Sequence, residues 1–113
     1  MIDKIVEGIQ EKKGKNIVIV DMTKLEDAPC RFFVIGEGDS ETHVNALGHS
    51  VKDYLREKIK EKPFGIDGFK HSQWIVLDYG HIMVHLFQKE QRLFYDLEHL
   101  WADAELTYIE DLD

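Results

Sequence analysis

The 113-residue chain holds one cysteine, Cys30, and two prolines, and it has no apolar run near the roughly 18 residues that a membrane-spanning helix requires. A lone cysteine cannot close an internal disulfide, which fits a reducing compartment. The opening Met1-Ile2-Asp3 lacks the basic-then-apolar order of a secretion signal, so the expected setting is the cytoplasm. Repeats, low-complexity stretches and Gly/Ser linkers are missing too, and the eight glycines stand singly. With 43% hydrophobic residues the chain has enough apolar surface for one core without disulfide or metal staples.

Positive charge is missing in one place above all. Leu93 to Asp113 carries seven carboxylates and no Lys or Arg, which leaves 15 of the 22 acids facing all 14 bases in residues 1–92. The net charge of −8 is therefore almost entirely C-terminal. Such a balance disfavours salt-driven binding to nucleic acid, which needs clustered Lys and Arg. It favours a cationic partner, attracted over about 8–10 Å in ordinary salt. Residues 1–104 read as the domain and 105–113 as an acidic C-terminal tail that packs as a strand or stays loose.

The patterning that is present alternates helix and strand. Ile2, Ile5, Val6 and Ile9 follow helical spacing, with Gly14 placed as a C-terminal cap. Ile17–Val20 is an apolar β-branched run, the mark of a central strand. A break at Asp27-Ala28-Pro29 precedes a second strand, Arg31–Ile35, which Gly36-Glu37-Gly38 ends. Asp39 or Ser40 caps a long helix bearing Val44, Leu47, Val51 and Leu55 on one stripe. After the loop of Pro63, Gly65 and Gly68 come two strands, Trp74–Asp78 and His81–Phe87, joined by Tyr79-Gly80 as a two-residue turn. That turn sets Trp74 opposite His85, Val76 opposite Met83 and Asp78 opposite His81. One side of the hairpin is then Ile75, Leu77, Ile82, Val84 and Leu86, a core face. The other holds Trp74, Asp78, His81, Met83, His85 and Phe87, a mixture that suits either a partner or a covering helix. Alternation puts Tyr79 on the aliphatic side unless the turn rotates it. A last helix runs from Lys89 or Glu90 to Trp101, with Leu93, Leu97 and Leu100 inward and Arg92, Tyr95, Asp96 and His99 nearer its polar side.

Catalytic chemistry is hard to place on this pattern. His81 and His85 are four strand residues apart, about 13 Å, too far to share a metal ion. His43 and His49 lie about 240° apart around their helix and do not converge. Cys30 reads as a packed thiol rather than a nucleophile. The turn Gly36-Glu37-Gly38-Asp39-Ser40 could offer amides to a phosphate, but it fits neither common phosphate-loop pattern and carries two carboxylates. Paired acids of the Asp-x-Asp kind occur on none of the expected strands.

The run from Trp74 to Phe87, then Arg92, Phe94-Tyr95-Asp96-Leu97-Glu98 and Leu100-Trp101-Ala102-Asp103-Ala104, resembles the ribosomal silencing factors, or Iojap-like proteins. Gly36-x-Gly-x-Ser40-x-x-His43-Val44 is similar to that family's G-x-S-x-x-H-V helix start, and Gly65-Ile66-Asp67-Gly68 to its G-x-E-G turn. Two positions depart from the pattern: Asp67 replaces Glu, and His81 stands where Asp is common. The resemblance implies a single α/β domain, three-layer-like, with a mixed β-sheet and flanking helices, similar to the nucleotidyltransferase fold but lacking its acids. It implies a translational repressor that binds the large ribosomal subunit through its fourteenth protein and blocks joining of the small subunit, with a possible part in large-subunit biogenesis. Such a protein would be no enzyme and would need no cofactor, metal, membrane or sequence-specific nucleic acid; it would be a monomer or weak homodimer. The candidate partner-binding residues are Trp74, Asp78, Tyr79, His85, Phe87, Arg92, Tyr95, Glu98 and Trp101, aromatic anchors with charged groups at the rim. Two alternatives differ in class: a nucleotide-binding or nucleotidyl-transferring enzyme, and an acidic protein-interaction adaptor.

Overall fold

The computed structural model describes residues 1–112. In chain order the elements are α1 (Ile2–Glu11), β1 (Lys15–Asp21), β2 (Phe32–Gly38), α2 (Glu41–Ile59), β3 (Gly65–Asp67), β4 (Trp74–Asp78), β5 (Ile82–Gln88), α3 (Lys89–Tyr95), a 3₁₀ turn (Leu97–His99) and β6 (Glu105–Ile109). The six strands form one mixed sheet in the order β3-β4-β5-β2-β1-β6. Only β2 and β5 run parallel, because α2 carries the chain across between them; every other pair is antiparallel.

Strand alternation gives the sheet two different faces. One buries Ile17, Val34, Ile75, Leu77, Ile82, Val84 and Leu86 against Ile5 and Ile9 of α1 and Val44, Leu47, Val51 and Leu55 of α2. The other carries Val18, Val20, Phe33, Ile35 and Phe87, covered by Met22, Leu25 and Cys30 from the β1–β2 connection and by Leu97, Trp101 and Ala104. Helices layer the first face fully. Irregular chain layers the second, and that thinner cover is where the aromatic residues collect.

Local chemistry explains most of the element ends. Ser40 caps α2, its Oγ accepting the His43 amide at 3.0 Å. The end of α1 departs from expectation: Lys13 takes the left-handed conformation (φ 58°), while Gly14 is there for space, since a Cβ on it would lie 2.2 Å from Cγ2 of Ile9. Residues 105–109, read from the sequence as the start of an acidic tail, pair with β1 in continuous register from Ile17–Ile109 to Asp21–Glu105.

The β4–β5 hairpin keeps its expected faces but not its expected register. Trp74 pairs with Phe87, Val76 with His85 and Asp78 with Met83. The turn residues are Gly80 and His81, closed by the Tyr79 amide donating to the Ile82 carbonyl at 2.9 Å. Gly80 takes φ 89°, and its amide donates to the Asp78 carboxylate at 2.7 Å. Glycine suits a positive φ at the first turn position, where tyrosine would be strained. A two-residue slip preserves parity, so each side chain still emerges on the face alternation assigns it.

The last helix is shorter than its apolar spacing suggests. Asp96 adopts the left-handed conformation (φ 46°) and ends α3 at Tyr95, and its carboxylate meets Nδ1 of His99 at 2.7 Å. The break resets the helical phase. Leu93 and Leu100, expected inward, are 70% and 61% exposed, whereas Arg92, expected on the polar side, is buried.

Candidate functional site: an aromatic face on the sheet

The covered-by-loops face of the sheet holds the side chains with the most distinctive arrangement. At the start of β4, the Trp74 ring stacks on Phe87 (centroids 5.0 Å) and meets Tyr95 at 4.6 Å. Its indole Nε1–H donates to Nδ1 of His85 at 3.1 Å. Two strand positions thereby brace one ring: Phe87 is its cross-strand neighbour, and His85 the diagonal one. His85 in turn packs edge-on against Phe33 (4.4 Å), which meets Trp101 at 5.3 Å.

His85 is 4% exposed, and burial pushes its pKa down to about 4. Its imidazole is therefore neutral at physiological pH. Because Nδ1 accepts the indole hydrogen, the proton sits on Nε2, which is buried without a partner among the described residues. This histidine orients Trp74 rather than carrying charge.

Arg92 fixes the helix that brings Tyr95 to the sheet. Its Nε and Nη2 donate to the two oxygens of Glu98 (2.9 and 3.3 Å), and Nη1 donates to Glu37 (3.1 Å) and to the Asn16 carbonyl. All three charged side chains are nearly buried. The guanidinium so ties α3, the 3₁₀ turn, β2 and the start of β1 together. Beyond that clamp α3 presents Leu93 and Phe94 to solvent, Phe94 81% exposed and edge-on to the half-exposed Tyr95 (5.1 Å).

Of the nine residues singled out from the sequence, Trp74, His85, Phe87 and Tyr95 lie in one cluster, Trp101 joins it through Phe33, and Arg92 and Glu98 stand behind it as a pair. Asp78 and Tyr79 lie at the other end of the hairpin. Asp78 caps the turn, and Tyr79 is buried in the helix-covered core with its hydroxyl unpartnered among the described residues, its pKa pushed up to about 12 by burial. Leu93 and Leu100, expected inward, are exposed, and so is Phe94, which borders the cluster through Tyr95. A signal for this existed: six of the nine residues from Leu93 to Trp101 are apolar or aromatic, more than one stripe of a short helix can bury.

Other features singled out by sequence are used internally. In the Gly36–Ser40 turn, the Asp39 amide donates to Nδ1 of His43 and the Ser40 Oγ takes the His43 amide of α2, so one amide and the hydroxyl of the supposed phosphate cradle are engaged by the chain itself. Nε2 of His43 donates to the Lys12 carbonyl at 2.6 Å. Cys30 is half-buried, and burial raises its thiol pKa, the opposite of activation. Among the described residues, no group of three or more His, Cys, Asp or Glu is placed to hold a metal ion, and no helix is long and apolar enough to cross a membrane.

Comparison with known proteins gives this face its context. A protein of Halalkalibacterium halodurans named ribosomal silencing factor is 32% identical over 111 residues, covering 97% of this chain and 92% of its own. Its namesake in Bacillus subtilis is 35% identical over 104 residues, covering 91% and 83%. The crystal structure of a Chromobacterium violaceum protein superposes with a TM-score of 0.83 at 31% identity, over 89% of this chain and 82% of that one. The family described as "Ribosomal silencing factor during starvation" matches residues 1–113. With that match over its full length, the chain belongs to the ribosomal silencing factor family.

Proposed function

We propose that the protein represses translation by binding the large ribosomal subunit through its fourteenth protein and holding off the small subunit, acting in the cytoplasm and doing no catalysis. The observation that carries this reading is the exposed pair Phe94 and Tyr95 packed beside Trp74, in a chain of the silencing-factor family. Single exposed apolar residues are ordinary; two exposed rings touching each other beside a braced tryptophan mark a contact surface. A stable interface takes about 800 Å² per partner, a small share of the 6770 Å² this molecule exposes. The molecule, a body of 34 × 32 × 28 Å, stays in the way of whatever would close on that surface.

Trp74, Phe94 and Tyr95 supply desolvated anchor area in this reading, and His85, Phe87, Arg92, Glu98 and Trp101 hold the anchors in place. Steric blocking needs no bond made or broken, only a rigid body and a surface that sticks. Asp78 acts through the turn it caps. Tyr79 belongs to the core and is left out of the contact.

Sucrose-gradient sedimentation of purified protein with separated subunits tests the proposal. The expected result is co-migration with the large subunit and a shift from joined ribosomes to free subunits. Phe94→Glu, at a side chain that the fold hardly uses, should abolish both. Failure of the large subunit to retain the native protein at moderate salt would overturn the reading.

A further inference from the structure

The sheet has two open edges of unlike character. β3 is three residues long, and such brevity blunts an edge against pairing. β6 is five residues, Glu-Leu-Thr-Tyr-Ile, in unbroken register with β1, without the proline, lysine or bulge that commonly protects an edge. Its outer N–H and C=O groups face away from every other strand. Exposed carboxylates stand at both ends: Asp103 before the strand and Glu105 at its first position, the latter paired with Lys24 at 3.4 Å, then Glu110 and Asp111 after it, with Asp111 accepting the Asn16 amide at 2.7 Å. Tyr108, 61% exposed, projects from the middle of it.

We propose that the outer edge of β6 is a docking site for an extended, lysine- or arginine-rich segment of a partner protein, which joins the sheet as a seventh strand. Backbone pairing would supply affinity, and the flanking carboxylates would select basic side chains at its ends. Side chains of the added strand on the Tyr108 face would lie along that ring and beside Leu106, since both sit on the same side of β6. A cavity of about 380 Å³ borders this edge, with Tyr108, Ile109, Asp96 and Glu98 in its wall. Lys89 and Arg92 also line it, but Arg92 is already matched by Glu37 and Glu98. A second copy of the chain is a poor occupant: pairing β6 with β6 brings Glu105 and Glu110 toward like charges. The cavity shares Arg92, Leu93 and Glu98 with the support of the aromatic cluster, but β6 lends no ring to that cluster, and the proposal goes beyond the function proposed above.

The test uses the full isotope-labelled chain with a nine-residue peptide of alternating lysine and valine, and a control peptide with glutamate in place of lysine. Amide hydrogen exchange at the outward-facing positions within 105–109 should slow at least tenfold with the lysine peptide and stay unchanged with the control. Replacing two exposed acids, Asp103→Lys with Glu110→Lys, should weaken the lysine peptide at least fivefold. The Phe94→Glu protein should bind it normally, which separates this result from any failure of the ribosome reading. Protection outside β6, equal protection by the glutamate peptide, or concentration-dependent protection of β6 with no peptide present would each overturn the proposal.

Discussion

Arg92 and Glu98, six residues apart, face each other across the end of α3 as a two-pronged ion pair, with Glu37 of β2 on the remaining arm of the guanidinium. Both partners are almost out of solvent. A pair in that position adds less than its short distances suggest, because desolvating the charges offsets much of their attraction; removing one member is what costs most. Arg92→Ala leaves two buried carboxylates facing each other and is expected to destabilise the fold by about 3–5 kcal/mol. Urea unfolding would measure it. Arg92→Met combined with Glu37→Leu and Glu98→Leu should recover much of the loss, since no orphaned charge remains.

His85 makes stability depend on pH in a definite direction. Its folded pKa of about 4 lies below the ordinary value of 6.5, so between these pH values the unfolded chain binds the extra proton. The contribution of neutral His85 is full above pH 6.5 and is lost as pH falls to about 4. A shift of this size corresponds to about 3 kcal/mol. His85→Gln should flatten the stability profile in that window relative to the native chain, and Trp74 fluorescence should report the change, since its Nε1–H donates to the ring being protonated. Parallel profiles for the two proteins would refute the assignment.

The exposed border of the aromatic cluster allows binding to be separated from folding. Phe94 and Leu100 sit mostly in solvent, so Phe94→Glu and Leu100→Ser should each change unfolding free energy by no more than about 0.5 kcal/mol. If the border is the ribosome contact, Phe94→Glu should still lower affinity at least tenfold, about 1.4 kcal/mol. Pull-down with the isolated fourteenth large-subunit protein gives the affinity, and circular dichroism confirms the fold.

How far these features were legible in the sequence depends on whether local chemistry decided them. Val44, Leu47, Val51 and Leu55 repeat at helical spacing over about three turns, and α2 follows. Alternation in Trp74–Asp78 and Ile82–Phe87 assigned faces correctly because parity survives a two-residue slip, while the register itself turned on whether Gly80 stood first or second in the turn. The end of α3 was illegible for a different reason. Asp96 enters the left-handed region without a glycine to announce it, and that choice is tied to the burial of Arg92 against Glu37, 55 residues earlier in the chain. Spacing alone cannot register a contact of that separation. The exposure of Leu93, Phe94 and Leu100 was lost along with it.

Tyr79 offers a test in which a sequence candidate and the structure part company. Motif position made it a binding residue, yet it emerges on the helix-covered face, its ring in the core and its hydroxyl buried with no partner. A buried hydroxyl without a hydrogen bond carries its desolvation cost uncompensated. Tyr79→Phe removes that oxygen and keeps the ring, so stability should hold or rise by up to about 1 kcal/mol. Affinity for the ribosomal partner should stay within twofold. A fall of tenfold or more with an intact fold would put the hydroxyl at the contact surface, which requires the turn to rotate Tyr79 out of the core on binding.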